Sequence, residues 1–254
     1  LARVRLDELL VTRGLAASRE RARALVLAGD VTVDDRRIDK AGALVDAEAR
    51  VILRQPDHPW VGRGGLKLAH ALDAFGVDVT GRTVLDIGAS TGGFTDVVLQ
   101  RGAARVVALD VGHGQIDWRL RQDPRVVVLE GVNARYLQAS QLPADLRVFD
   151  VVTIDVSFIS LSHILPVVPP LLAAGARVIA LVKPQFEAGR QEVGKGGLVR
   201  DPAVHERVVA AVQAEAVRVG LKPIAVEPSP VTGAEGNREF LLLLTRSNPG
   251  KHLT

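Results

Sequence analysis

One stretch of the chain is built to meet a charged ligand at close range: Val84-Leu85-Asp86-Ile87-Gly88-Ala89-Ser90-Thr91-Gly92-Gly93-Phe94. An apolar run ends around an acid, and small residues follow. Asp86 can face a cationic group, while Gly88, Gly92 and Gly93 leave space and free N–H groups at the start of a helix. A second apolar run, Val106-Val107-Ala108-Leu109, ends at Asp110, whose carboxylate could accept two hydrogen bonds from a ribose diol. A nicotinamide dinucleotide site also places an acid after its second strand, but it expects G-x-G-x-x-G. Here the glycines stand as Gly88-x-x-x-Gly92-Gly93 behind an acid, which suits S-adenosylmethionine better than a dinucleotide. The plain alternative is a strand–turn–helix corner with a capping acid. The ligand contacts expected on the first reading are Asp86, Gly88, Ala89, Ser90, Thr91, Gly92, Gly93, Phe94 and Asp110. Asn133, after Val126-Val127-Val128-Leu129, is a candidate for the adenine edge.

Four more charged residues stand where a reaction centre would form. Asp155 follows Phe149-Asp150-Val151-Val152-Thr153-Ile154, and Lys183 follows Val178-Ile179-Ala180-Leu181-Val182. In open α/β sheets, ligands bind at the carboxyl ends of parallel strands. Lys67 lies in a helical stretch before the first of these strands, and Glu239 begins the last. Any one of the four has an ordinary explanation as a solvated charge. A lysine joined directly to a buried apolar strand is the least ordinary of them.

The elements that must position these residues alternate. A helix is expected at about 65–75. Strands are expected at 83–87 and near 105–110, 126–129, 149–155, 177–182, 223–229 and 239–245, with helices between them. The stretch from Val167 to Val182 reads as helix, turn and strand. Short apolar strands alternating with helices make an α/β fold with a parallel sheet covered on both faces. Only Pro230 to Arg238 separates the last two strands, too little for a helical crossover, so they should pair antiparallel at the sheet edge. A seven-stranded, Rossmann-like methyltransferase sheet with an antiparallel last strand is the arrangement implied.

Residues 1–54 read as a small α+β unit, 55–62 as a linker with two prolines and Trp60, and 63–254 as the larger domain. Leu6, Leu9 and Leu10 form one helical face ending at Gly14. Ser18 can cap a second helix carrying Ala22, Leu25 and Val26, and Val31-Thr32-Val33 and Val51-Ile52-Leu53 read as strands. Trp60 is expected to pack rather than to stack on a base. The 254 residues carry a net charge of only +3, which by itself points to no partner. The charge is uneven, however: Arg13, Arg19, Arg21 and Arg23 cluster against Glu20 alone, a patch able to hold phosphates. There is no cysteine, which excludes disulfides, thiolate metal sites and cysteine nucleophiles, and no metal is expected. No spanning stretch or signal segment is apparent, so a soluble, cytoplasmic protein without membrane contact is expected, with a monomer favoured.

The run Arg5-Leu6-Asp7 … Gly14-Leu15 … Ser18-Arg19 … Ala22 … Gly29-Asp30-Val31-x-Val33 resembles the RNA-binding domain typified by the fourth protein of the small ribosomal subunit. The larger part resembles the FtsJ-like ribose 2′-O-methyltransferases, and one branch of them, the TlyA family, matches over nearly the whole chain. The matching runs are Asp86–Thr95, Asp110–Gln115, Asp155-Val156-Ser157-Phe158-Ile159-Ser160, Lys183-Pro184-Gln185-Phe186-Glu187 and Gly236-Asn237-Arg238-Glu239. The resemblance implies a Lys-Asp-Lys-Glu catalytic tetrad at Lys67, Asp155, Lys183 and Glu239, with S-adenosylmethionine as methyl donor. It also implies RNA contacts from Arg5, Arg13, Arg19, Arg21 and Arg23. Lys195 and Arg200 would join them if the glycine-rich loop Gly194–Arg200 is a lid over RNA rather than a plain connector. The implied reaction is 2′-O-methylation of a cytidine ribose in ribosomal RNA or ribosomal subunits. Large-subunit RNA is the expected target, because this chain ends sooner after Glu239 than the longer members that also modify the small subunit.

The chemistry is coherent with the residue types. A ribose hydroxyl must lose its proton as the methyl arrives, and a free lysine, with a pKa of ~10.4, holds its proton too tightly to act as a base. A second lysine and burial weaken that hold, and carboxylates strengthen it. Lys183 is the expected base or oxyanion holder, Lys67 its electrostatic tuner, and Asp155 and Glu239 the groups that orient the two ammoniums. Two other functions remain open at this stage. One is a membrane-active haemolysin. The other is an RNA-binding protein with an inactive methyltransferase domain.

Overall fold

The apolar runs become the strands of one sheet because each can bury both faces. The computed structural model describes residues 3–16, 18–27, 29–53, 58–233 and 236–247. It divides into two units, Leu1–Pro59 and Trp60–Thr254. Arg54 and residues 55–57, the end of the small unit and the start of the linker as read from sequence, lie outside the described residues.

In the first unit, β1 (Arg3–Arg5) leads into α1 (Leu6–Thr12), and α2 (Arg19–Leu27) follows a turn at Gly14. The Ser18 hydroxyl accepts the Arg21 N–H at 3.1 Å, the capping expected of that residue. Strands β2 (Val31–Val33), β3 (Arg36–Arg37) and β5 (Val51–Leu53) form one antiparallel sheet, and β4 (Leu44–Asp46) pairs with β1. Leu6, Leu10, Ala22, Val26 and Val31 are fully buried and form its core.

The second unit opens with α3 (Gly64–Phe75). Trp60, partly buried, packs against the apolar layer that includes Leu68 and Leu72, and a Cβ on Gly65 would meet its ring at 2.3 Å. There follow β6 (Thr83–Ile87), α4 (Gly93–Gln100), β7 (Arg105–Leu109), α5 (Trp118–Gln122), β8 (Val126–Leu129), β9 (Phe149–Ile154) and β10 (Leu172–Val182). The chain continues through α6 (Pro184–Glu187), α7 (Pro202–Arg218), β11 (Leu221–Pro228) and β12 (Phe240–Arg246). The seven strands lie in the order β11-β12-β10-β9-β6-β7-β8, with β12 antiparallel to both neighbours and the pairs from β10 to β8 parallel. This is the expected methyltransferase order with its antiparallel hairpin at the edge.

Two of the expected helices do not form. Between β8 and β9 the chain makes only short 3-10 turns, Ala134–Tyr136 and Ala139–Gln141. No α-helix forms ahead of β10. Residues 161–171 instead make three short 3-10 turns. Pro166, Pro169 and Pro170 each lack the N–H that an α-helix interior would need, and their rings exclude the continuing helix. Leu161, Ile164, Leu165, Val168 and Leu171 are still buried, so the segment covers the sheet face without being helical.

Candidate active site and arginine face

Each charged residue of the expected centre is placed by an element whose neighbours are apolar. Lys67 precedes the buried Leu68 on α3, Asp155 and Lys183 follow the buried ends of β9 and β10, and Glu239 immediately precedes β12. Because β9 and β10 are parallel neighbours, their carboxyl ends bring Asp155 and Lys183 together. The Lys183 Nζ lies 2.6 Å from an Asp155 Oδ1 and donates to the Ser157 hydroxyl at 2.9 Å. The Asp155 Oδ1 itself receives no well-aligned hydrogen bond, so this contact is chiefly electrostatic. The second pair is a hydrogen-bonded one: Lys67 Nζ donates to Glu239 Oε2 at 2.6 Å. Lys67, Lys183 and Glu239 are buried, and all four residues line one cavity of about 610 Å³ together with Ser157, Phe158 and Asn237.

Two further hollows share Asp155 and Ser157 with that cavity. One, about 440 Å³, is lined by Gly88, Ser90, Asp110, Gln115 and Asn133, with Leu109, Val132 and Ile164 as apolar wall. The other, about 170 Å³, runs along Gly88, Ala89, Ser90, Thr91, Gly93 and Phe94 to Lys183. An apolar-walled hollow with a carboxylate at its rim suits a nucleoside. The narrow polar passage beside it leads to the lysine–aspartate pair. These residues fit a cofactor with a nucleoside at one end and its reactive group at the other.

The acid–glycine stretch is more divided in its work than its sequence implies. Asp86 is not on the cavity wall. It is fully buried, and its two oxygens accept hydrogen bonds from Thr95 Oγ1 (2.7 Å) and Thr153 Oγ1 (2.8 Å). Burial pushes its carboxyl up to about 6, against the opposing effect of those two hydroxyls. It therefore braces β6 against α4 and β9 from beneath, and a direct contact with a cationic ligand is not what it makes. Gly92 is likewise a packing residue: its φ is +96°, and a Cβ would strike Leu120 Cδ1 at 2.3 Å. Gly88 lines the hollows, but its own constraint is the chain beside it. With φ at +87°, a Cβ would lie 2.5 Å from the Asp155 carbonyl oxygen.

Asp110 is at the rim, its oxygens accepting the N–H groups of Ser90 (2.8 Å) and Gly112 (2.7 Å). Those bonds fix its orientation and leave lone pairs for a diol. Asn133 lines the same hollow, while its Oδ1 caps the following turn by accepting the Arg135 N–H at 3.0 Å.

Two residues quoted only as parts of motifs prove to be structural keys. Asn237, buried, holds the Gly194–Arg200 loop with both ends of its amide. Its Oδ1 accepts the Val199 N–H (2.9 Å) and its Nδ2 donates to the Gly197 carbonyl (2.8 Å). The loop is thus docked at the cavity edge rather than a free connector, with Lys195 and Arg200 exposed on it and neither lining the cavity. Glu187 accepts from Ser160 Oγ (2.6 Å) and the Leu161 N–H (2.7 Å), tying the segment after Lys183 to the segment after Asp155. Burial pushes its carboxyl up as well. Phe158, between those ties, is 91 % exposed with φ at +64°, and its ring lies 5.2 Å from that of Phe186.

In the first unit the expected RNA contacts separate into two kinds. Arg13 donates to the carbonyls of Ala47 and Ala49 and so serves the fold. Arg5 is committed to Asp7 through one edge of its guanidinium, Nε to Oδ1 at 3.0 Å and Nη2 to Oδ2 at 2.9 Å. Arg19 and Arg23 approach the same carboxylate more loosely, at 3.4 and 3.8 Å, and their side chains stay 55 % and 63 % exposed. Arg21 reaches towards His58 Nε2 at 3.4 Å. Asp7 is fully buried beneath this group, a role that its place in an Arg-Leu-Asp run does not announce.

The chain matches the model of the FtsJ-like methyltransferase family over residues 60–246 and that of the S4 domain over residues 4–51. It is 48% identical over 243 residues to the 16S/23S rRNA (cytidine-2′-O)-methyltransferase TlyA of Mycobacterium tuberculosis, covering 95% of this chain and 90% of that one. It is also 48% identical over 240 residues to a Bacillus subtilis protein provisionally named the rRNA methyltransferase YqxC, covering 94% and 85%. A solved structure from Streptococcus thermophilus, provisionally named a hemolysin, superimposes with a TM-score of 0.77 at 44% identity, over 97% of this chain and 89% of that one. Among the described residues no helix is long and apolar enough to cross a membrane. With an S4 domain ahead of a methyltransferase domain, the chain belongs to the TlyA branch of the FtsJ-like methyltransferase family.

Proposed function

We propose that this protein transfers the methyl group of S-adenosylmethionine to the 2′-hydroxyl of a cytidine ribose in ribosomal RNA. The observation that carries this reading is the cavity where two lysine–carboxylate pairs, Lys183–Asp155 and Lys67–Glu239, face one space beside the passage from the nucleoside-sized hollow. S-adenosylmethionine supplies an electrophilic methyl on a sulfonium that departs as a neutral thioether. What the chain must supply is alignment and somewhere for the hydroxyl proton to go. Lys183, at the end of a rigid buried strand and braced by Ser157, takes that proton or holds the developing oxyanion. Lys67 lies on the other wall as a second positive charge that favours the oxyanion. Asp155 and Glu239 orient the two lysine side chains; Lys183 acts as the base in its neutral amine form and as the oxyanion holder in its ammonium form. Asp110 and the turn it fixes at Ser90 receive the ribose of the cofactor.

All four charged residues come from one chain, so a monomer suffices. The amino-terminal unit brings the RNA, through Arg19, Arg21 and Arg23, with Lys195 and Arg200 adding phosphate contacts beside the cleft. A ribosomal RNA substrate places the protein in the cytoplasm. Large-subunit RNA is the first target to examine. The M. tuberculosis relative, whose name covers both 16S and 23S RNA, makes small-subunit RNA the second. Mapping 2′-O-methyl groups in both ribosomal RNAs from cells with and without the gene decides the matter. A single cytidine that loses its methyl group supports the reading, and identical maps refute it.

A further inference from the structure

Asp7 is an unusual acid: fully buried in a small unit, yet surrounded by cations that mostly face water. Arg5 grips it with two parallel hydrogen bonds, and Arg19 Nη2 and Arg23 Nε lie 3.4 and 3.8 Å from the same Oδ2, while Arg19 Nη1 also pairs with the Glu8 carboxylate at 3.2 Å. The carboxylate is itself locked in place, since its Oδ1 accepts the Glu8 N–H at 3.1 Å and its backbone N–H donates to the Ala41 carbonyl at 3.0 Å. The neighbouring arginines hold its carboxyl down at about 2, so it stays ionised.

An isolated arginine on a helix surface samples many rotamers, and ordering it against a phosphate costs conformational entropy. Three arginines drawn to one fixed carboxylate have met that cost before RNA arrives, and each fork keeps donors free for phosphate oxygens. We propose that Asp7 is a positioning residue which arrays Arg5, Arg19 and Arg23 as a single preorganised phosphate-binding face. This rests on the reading of the first unit as the RNA-docking part of the protein.

Charge counting and preorganisation give opposite signs, which makes the proposal testable. Asp7→Asn removes a negative charge beside three cations, so electrostatics alone calls for tighter RNA binding. Arg5→Lys keeps every charge but loses the two-pronged grip on Asp7, so electrostatics alone calls for no change. The measurement is binding of the full-length protein to a large-subunit ribosomal RNA transcript over a series of salt concentrations. We expect Asp7→Asn to weaken binding by about fivefold and Arg5→Lys by about twofold, with the affinity for S-adenosylmethionine unchanged.

Asp7→Glu, which restores the charge at a longer reach, should recover part of the loss. Unchanged or tighter RNA binding by Asp7→Asn in a protein with native amide exchange in residues 3–53 overturns the proposal. If Asp7→Asn loses that protection, Arg5→Lys decides alone, and parental affinity overturns it. Arg19→Ala with Arg23→Ala serves as the separate check on the docking role. If that pair leaves RNA affinity intact, the docking reading fails and not merely the part assigned to Asp7.

Discussion

The two charged centres of this protein use the same ions in opposite ways. In the amino-terminal unit one buried acid, Asp7, is shared by three arginines, of which Arg19 and Arg23 stay more than half exposed. In the methyltransferase unit each lysine has an acid of its own, and Lys67, Lys183 and Glu239 are buried. An excess of cations over acids, held at the surface, attracts an extended polyanion and is weakened by salt. One-to-one pairing in a buried cleft cancels the long-range field and instead fixes each lysine side chain beside its acid, which gives a reacting group the defined position that catalysis needs. On the proposed function, the first arrangement binds RNA and the second carries the reaction.

The largest way to break this contrast is to remove an acid from the cleft. Glu239→Gln leaves Lys67 buried without a counter-charge, and breaking such a pair costs about 3 kcal/mol of stability. Single-turnover methyl transfer should fall by at least ~100-fold, with RNA affinity unchanged. Nearly as large is Gly88→Ala. The positive φ and the 2.5 Å approach to the Asp155 carbonyl predict a loss of about 2–3 kcal/mol in a urea titration. The bulkier Gly88→Val would test folding rather than cofactor fit. On the other side, Arg19→Ala with Arg23→Ala should weaken RNA binding about tenfold and flatten its salt dependence, leaving calorimetric affinity for S-adenosylmethionine unchanged.

The effect that is smallest at a single pH, near pH 4, sharpens the contrast by its sign as the pH changes. Asp7 titrates at about 2 in the folded protein, below the ordinary 3.8. Its contribution to stability is present above pH 3.8 and is lost as the pH falls towards 2. Asp86 titrates at about 6, above 3.8. Its contribution is therefore full below pH 3.8 and is lost as the pH rises through about 6. Asp86→Asn should change stability little near pH 4, because a neutral amide resembles the protonated acid. It should remove a slope of at most about 1.4 kcal/mol per pH unit between pH 4 and 6. Parallel stability profiles for the variant and its parent would contradict the burial assigned to Asp86.

Much of this was legible from residue order because the central strands are mostly apolar runs with charged residues at or next to their ends. Asp155, Lys183 and Glu239 each sit beside such a run, so locating the strands also located three of the four cleft charges. What escaped the sequence depends on partners far along the chain. Asp86 reads as a ligand contact until Thr153, 67 residues away, is seen to occupy one of its oxygens. Asn237 reads as part of a motif until its amide is found on the loop at Gly197 and Val199. The missing helix at the start of the Val167–Val182 stretch is a different failure. The apolar spacing there suits a helix, and only the weight given to three prolines could have overruled it. In the first unit, arginines counted as equals divide according to whether a carbonyl, an acid or an imidazole stands against them.

The account rests on Lys183, and one measurement addresses it most directly: single-turnover methyl transfer to ribosomal RNA by Lys183→Ala and Lys183→Arg, with cofactor and RNA binding measured on the same preparations. If the residue takes the 2′-hydroxyl proton, both variants bind both ligands as the parent does. Both should then lose at least ~1000-fold in rate, arginine included, because a guanidinium keeps its proton. If Lys183→Arg retains much of the rate, the lysine is a fixed charge and not the base. If Lys183→Ala transfers methyl groups at the parental rate, the cleft described here is not where the reaction occurs.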